Sequence, residues 1–321
     1  AMAAAAGRIA GVGGNLGPAA LDLLDDRVEL YVLELSSFQL ERVAALGLAV
    51  ATVLNVSPDH LDRHGTLTRY HAAKHRIFRG CHKAVVNLDD ALTQPLLPPE
   101  VEVISWRYGE PELNGFGLRD AEGQTCLCRG FDPLLAVDEL GVPGRHNVAN
   151  ALAALAVGGA AGLPDAAMVQ ALKAFRGLPH RCERVATAAG VDYIDDSKGT
   201  NVGATNAALR GLGGENDIVL IAGGRSKGAD LGELRPALLA HGRALLAIGE
   251  AAEQLQALFQ QDLPVERVAD MGEAVQRAAV LARPGDTVRL SPACASFARF
   301  DNYRQRGDAY AAAARAREME Q

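Results

Sequence analysis

Three side chains able to do chemistry at the ends of strands give this 321-residue sequence its first functional signal. Glu34 stands in Leu33-Glu34-Leu35-Ser36-Ser37-Phe38-Gln39. His60 stands in Asn55-Val56-Ser57-Pro58-Asp59-His60-Leu61-Asp62, and Lys74 closes Tyr70-His71-Ala72-Ala73-Lys74. A carboxylate and an imidazole delivered to one rim can hold a divalent ion, and a lysine beside them adds phosphate chemistry.

The elements that must position them follow from local pattern. Val28 to Leu33 is rich in β-branched and aromatic residues and reads as a strand in a sheet covered on both faces, with Glu34 at its end, where a buried carboxylate needs a cation or a donor. Leu48 to Asn55 reads as a second such strand, broken into a loop by Ser57-Pro58-Asp59, so that His60 falls just past a strand end. Thr66 is a good N-cap for a helix that carries Tyr70 and Lys74 one turn apart on one face.

Further along, Val101 to Leu140 shows short extended runs separated by Gly, Pro and Asn, a β-rich insertion or edge. Gly144-Arg145-His146-Asn147 opens a long Ala-Leu helix, a second helix spans about 165–175, and Gly177-Leu178-Pro179 punctuates a domain boundary. Beyond it, runs at Val191–Asp195, Asp217–Ala222, Arg243–Ile248 and Asp286–Leu290 alternate with helices, the pattern of a parallel sheet wound on both sides. The expected fold is therefore α/β, with a mostly parallel sheet and a small β-rich part over 1–177 and a Rossmann-like domain over 178–321.

Three strand-to-helix turns in the second domain invite ligands. Asp195-Asp196-Ser197-Lys198-Gly199-Thr200-Asn201 sets carboxylates, a cation and hydroxyls beside a helix N-terminus, suited to ribose or phosphate; plain N-capping by Thr200 or Asn201 accounts for part of it but not for Asp196 with Lys198. Gly223-Gly224-Arg225-Ser226-Lys227 reads equally as a ligand loop or a solvated turn. In Ser291-Pro292-Ala293-Cys294-Ala295-Ser296, Cys294 reads as a small buried residue, and Ser296 makes the better ligand contact. Arg181, just after Pro179-His180, is a candidate to reach into an interdomain cleft, although taken alone it reads as a surface cation. The glycines of Gly11-Val12-Gly13-Gly14-Asn15-Leu16-Gly17 have the wrong spacing for a dinucleotide fingerprint, so a tight anion-contacting loop competes there with a simple turn.

Composition narrows the classes. Apolar residues make up 49% and charged residues 22%, ordinary for a globular protein, and a net charge of −7 disfavours nucleic acid as partner. Five cysteines without metal-type pairing are expected to be reduced thiols. No apolar run is long enough for a membrane span and the Ala-rich start lacks a leader pattern, so the expectation is a soluble, cytoplasmic enzyme, without a membrane partner and monomeric.

Taken together, Gly14 to Gly17, Leu33 to Glu41, Asn55 to Asp62, Tyr70 to Lys74, His146-Asn147, Gly177 to Arg181, Asp196 to Lys198, Gly223-Gly224 and Ser291 to Ser296 closely resemble the Mur ligases, within them the branch that adds D-glutamate to UDP-N-acetylmuramoyl-L-alanine. The resemblance implies an ATP-dependent ligase of peptidoglycan synthesis that works through an acyl phosphate. It implies that Glu34 and His60 bind Mg2+ and that Lys74 is carbamylated, a change that turns an ammonium into a carboxylate-like anion. By the same resemblance Asn15, Ser36, Gln39 and His60 face the UDP-linked substrate; His146, Asn147 and Asn150 lie by adenine; Arg181 lies by the terminal phosphate, Asp196 by ribose and Lys198 near the phosphates. Thr200, Lys227, Ser296, Phe297 and Tyr303 would hold D-glutamate.

One feature of the family is not found: no G-x-x-G-K-[ST] loop follows a strand, nor is there the domain that grips uridine diphosphate. Ala1 to Gly7 resembles the tail of the helix after that loop, so the expectation is a chain that is weak or inactive as a ligase by itself. A noncatalytic D-glutamate- or nucleotide-binding module is the alternative from another class. A ligase like folylpolyglutamate synthase shares the ATP logic but not the Leu-Ser-Ser-Phe-Gln and Ser-Pro-Ala-Cys-Ala-Ser segments.

Overall fold

In the computed structural model, residues 1–121, 123–142, 144–212, 214, 216–296 and 300–319 are described. They form two compact units: 1–56 with 66–176, and 57–65 with 177–321. The second unit thus takes the segment 57–65, which the sequence pattern assigns to the first domain.

The first unit begins with β1 (Ala10–Gly14) and β2 (Leu30–Glu34), a parallel pair that forms a sheet of its own. A six-stranded sheet follows, in the order β3 (Val50–Thr52), β4 (Lys83–Asn87), β5 (Glu102–Trp106), β6 (Phe116–Ala121), β7 (Gln124–Arg129), β8 (Asp132–Ala136). Its first four strands pair in parallel and the last three are antiparallel, which is the β-rich part. The helix Arg145–Ala160 lies on this sheet, where Leu152, Leu155 and Ala156 bury fully against Val85, Trp106, Phe116 and Leu127. Cys126 and Cys128 share one face of β7 and pack with Ala136, while Leu127 turns to the main core, as period-two alternation requires.

β2 departs from the expectation of a strand covered on both faces. Val32 is 47% exposed and its neighbour Val12 61% exposed. β2 pairs only with β1, and just one side of the pair, through Ala10 and Leu30, reaches the core under the long helix. β-branched content marks a residue's fitness for a strand and leaves open what lies over it.

The second unit is one six-stranded sheet in the order β13 (Val265–Val268), β12 (Gly242–Ile248), β11 (Ile218–Gly223), β14 (Thr287–Leu290), β10 (Val191–Asp195), β9 (Glu183–Ala188), with only β9 antiparallel. β11 is apolar and buried throughout, the signature of a central parallel strand covered on both faces. Helices 202–212, 235–241 and 252–259 cover one face over a core containing Leu209, Leu238 and Leu255; helices 271–281 and 303–319 cover the other, with Ala278, Tyr310 and Ala314 fully buried. The Tyr310 hydroxyl is satisfied by donating to the Val288 carbonyl at 2.7 Å. Among the described residues no helix is long and apolar enough to cross a membrane.

Candidate active site

In the second unit the chain runs from β10 to β11 and returns with β14 between them, so the loops after β10, β14 and β11 are side by side at the carboxyl edge. This is the topological switch point at which open α/β sheets bind ligands. Backbone hydrogen bonds lock the three loops together: Gly223 N to Pro292 O at 2.9 Å, Ala293 N to Gly199 O at 2.9 Å, and Arg225 bridged antiparallel to Ala295. Gly223 and Gly224 make the approach possible. Their φ values are 125° and 126°, and a Cβ would stand 2.0 Å from the Ile248 carbonyl oxygen and 2.2 Å from that of Ala295.

The loop after β10 separates its charges. Asp196 turns inward, where its carboxylate accepts the Ser291 hydroxyl at 2.7 Å; burial drives its pKa up to about 6, against lowering contributions from Ser291, the Arg289 charge and the Cys182 N–H. Lys198 is half-buried and meets an aromatic ring instead, its Nζ 4.4 Å from the centre of the Tyr303 ring. Asn201 caps helix 202–212 by accepting the Ala204 N–H at 2.9 Å, so capping does explain that residue. Thr200 is half-buried and Ser296 buried on the adjoining loops; Phe297 lies outside the described residues. Arg181 is exposed, following His180. His180 has a φ of 63°, and its Nδ1 is 2.7 Å from a buried Asp195 oxygen. His180, Glu183 and Asp195 form a tight group of metal-ligating types, yet its internal hydrogen bonds account for it: Glu183 accepts the His180 N–H at 3.0 Å, and Asp195 accepts the Ser197 N–H at 2.8 Å.

Two residues of this unit escaped the sequence reading. Arg306, on the helix 303–319, is 2% exposed and donates to the Ser197 hydroxyl and carbonyl and to the Cys294 carbonyl at 3.0, 2.8 and 3.1 Å, pinning the loop of Lys198 to the loop of Ser296. Asp59 accepts the Lys227 ammonium at 2.5 Å. No local signal marks either one: the first sits in a charged stretch and the second in a Pro-containing loop.

In the first unit the carboxyl ends of β1 and β2 bring Asn15 and Glu34 together, with Asn15 Nδ2 at 3.3 and 3.4 Å from the two Glu34 oxygens. Ser36 and Gln39 form a capping box on the helix Ser37–Glu41: Ser36 Oγ accepts the Gln39 N–H at 3.3 Å and Gln39 Oε1 accepts the Ser36 N–H at 2.8 Å. Ser36→Ala should therefore cost about 1 kcal/mol of stability with no ligand present; urea denaturation of the free protein checks this. Thr66 caps helix 67–75 as the sequence predicts, and Lys74 Nζ lies 5.0 Å from the Tyr70 ring centre. His146, Asn147 and Asn150 occupy the first turns of the helix 145–160, Asn150 exposed and the other two half-buried.

His60 belongs to the second unit, whereas Glu34 and Lys74 belong to the first. Desolvation lowers the His60 pKa and favours a neutral ring able to offer a lone pair, and Glu34 is exposed with only long contacts from Asn15. Each by itself, the Glu34 carboxylate and the neutral His60 imidazole are donor types that a divalent ion accepts.

Comparison with known proteins identifies the family of both units. Residues 16–158 match the Mur ligase middle domain and residues 180–294 the Mur ligase glutamate ligase domain. The chain is 53% identical over 314 residues to the UDP-N-acetylmuramoylalanine–D-glutamate ligase of Pseudomonas aeruginosa, covering 97% of this chain and 70% of that one. With the same-named protein of Nitrosococcus oceani the identity is 49%, over 98% of this chain and 70% of the other. Among solved structures, MurF of Acinetobacter baumannii superimposes with a TM-score of 0.67 at 19% identity, covering 100% of this chain and 73% of that one. The bifunctional folylpolyglutamate synthase/dihydrofolate synthase of Yersinia pestis gives 0.69 at 18%, covering 97% and 84%. At such identities the structural likeness is one of fold.

Proposed function

The chain belongs to the Mur ligase family, ATP-dependent enzymes that form amide bonds, and on that premise we propose how its own residues serve the addition of D-glutamate to UDP-N-acetylmuramoyl-L-alanine in peptidoglycan synthesis. The observation that carries the reading is the cross-linked trio of loops at the switch point, which holds cations and hydroxyls on one edge of a rigid sheet.

The reaction places the substrate carboxylate against the terminal phosphate of ATP, forms an acyl phosphate, and lets the amine of D-glutamate displace phosphate through a tetrahedral intermediate. Negative charge accumulates at both stages, so the protein must supply fixed positive charge and donors. Lys198 and Arg181 supply it to the phosphates, and Asp196 with His146, Asn147 and Asn150 serves the nucleoside. Lys227 pairs with a carboxylate of D-glutamate as a charge-assisted hydrogen bond, with Thr200, Ser296 and Tyr303 serving the same amino acid. Asn15, Ser36, Gln39 and His60 face the UDP-linked substrate. Glu34, His60 and a carbamylated Lys74 would hold Mg2+, whose chemistry is to neutralise phosphate charge.

Two measurements test this. Phosphate release from ATP, measured on a protein that also carries the family's phosphate loop and uridine-diphosphate domain, should require UDP-N-acetylmuramoyl-L-alanine together with D-glutamate; equal release with L-glutamate, L-lysine or folate overturns the substrate assignment. Isotopically labelled bicarbonate should give a carbamate resonance that disappears in Lys74→Arg, and a spectrum without it removes the carbamate from the site.

A further inference from the structure

Lys227 occupies an unusual position before any ligand arrives. Its backbone is left-handed, with φ of 55°, and its ammonium is held 2.5 Å from Asp59 Oδ1. The pair is well shielded, the two side chains retaining 11% and 13% exposure. The same carboxylate accepts the His60 N–H at 2.8 Å and, through Oδ2, a long contact of 3.3 Å from the Asn201 amide. All of these residues belong to the second unit. An ammonium has three N–H donors, so Lys227 has capacity left for a second carboxylate. Asp59 Oδ2, with only its long contact, has acceptor capacity left as well.

A free α-amino acid is a zwitterion and presents an ammonium and a carboxylate a few bonds apart. A fixed cation and a fixed anion in contact, each with bonding capacity to spare, form the complementary arrangement. We propose that Asp59 is a substrate-binding residue that receives the ammonium end of D-glutamate while Lys227 receives a carboxylate, so that the pair selects amino acids over plain dicarboxylic acids. This rests on the reading of Lys227 as a D-glutamate contact. It adds the residue that recognises and orients the nitrogen destined to attack. The shielding of the pair strengthens both contacts relative to the same groups in open solvent.

Glutarate, which has the two carboxylates of glutamate and no nitrogen, separates the possibilities when its binding and that of D-glutamate are measured by ligand-observed NMR on the wild-type chain, Asp59→Asn and Lys227→Met. The wild type should prefer D-glutamate. Asp59→Asn should weaken D-glutamate about tenfold or more, the worth of a charge-assisted hydrogen bond, and leave glutarate within about twofold. Retained glutarate binding also shows that the variant's site is folded. The proposal is overturned if Asp59→Asn weakens both ligands alike, which would make Asp59 a prop for Lys227. It is equally overturned if the variant weakens neither, or if the wild type binds no D-glutamate or shows no preference. Lys227→Met should weaken both; if it spares both, the assignment of Lys227 itself fails, a different result from a failure of Asp59.

Discussion

Arg306→Ala should lower the stability of the second unit by about 3–5 kcal/mol, from three acceptors left without a donor and the volume removed beneath them. The guanidinium is buried with no carboxylate bonded to it; its partners are the Ser197 hydroxyl and carbonyl and the Cys294 carbonyl, and Asp195 and Asp196 act on it only through space. Burial pulls its pKa down to about 10, which still leaves it charged at neutral pH. Arg306→Lys keeps the charge but loses the planar fork that reaches two loops at once, and should recover less than half of the loss. Urea unfolding provides the check. The single tryptophan, Trp106, belongs to the first unit, so its fluorescence serves as an internal reference while the circular dichroism transition of the second unit moves to lower urea. Coincident curves for the variant and the parent would show that other bonds hold the two loops.

Asp196→Asn should do the opposite to stability while harming function. In the folded chain, burial raises this carboxyl to about 6 from an ordinary value of 3.8. Between those limits the folded state binds the proton and the unfolded state does not. The group's penalty is therefore absent below about pH 4, grows as pH rises, and is complete above about pH 6. A neutral, isosteric amide escapes it and should add up to about 3 kcal/mol at pH 7–8, less whatever the amide fails to return to Ser291 and Cys182. Thermal unfolding of the two proteins across this range should give curves that meet at low pH and separate by pH 7; parallel curves would refute the assignment. The same substitution should abolish nucleotide binding, because the charge that destabilises the fold is the one proposed to serve the nucleoside. This is a functional group retained at a cost to stability.

The legible parts of this chain are those whose cause is local. The continuous apolar run of β11 announces a central parallel strand, and the Thr66 and Asn201 caps follow from residue type. The surroundings of β2 were not legible, because strand propensity at Tyr31 and Val32 is the same whether or not a layer covers them. The residues missed share one property: their partners are remote in sequence. Asp59 meets Lys227 across 168 residues, and a loop broken by Ser-Pro-Asp gives no hint of it. Arg306, between Gln305 and Gly307 in a charged stretch, reads as a solvated helix face until the loops bearing Ser197 and Cys294 close over it. The Asp196 and Lys198 pair was visible as a cluster, but the different partners of its two charges, the buried Ser291 hydroxyl and the Tyr303 ring, lie far along the chain.

The placement of β14 between β10 and β11 bears on how the molecule is made. During synthesis β9, β10, β11, β12 and β13 all emerge before the strand that joins them, so a nascent chain holds a hairpin and a three-stranded ribbon with two inner edges unsatisfied. Such edges template association with other chains, and bringing residues 287–290 between them is a high-contact-order step and correspondingly slow. The carboxyl edge, whose loops are bonded to one another across this join, is consequently completed only once Thr287–Leu290 is in place, and a ribosome stalled before Thr287 should display a second unit without it.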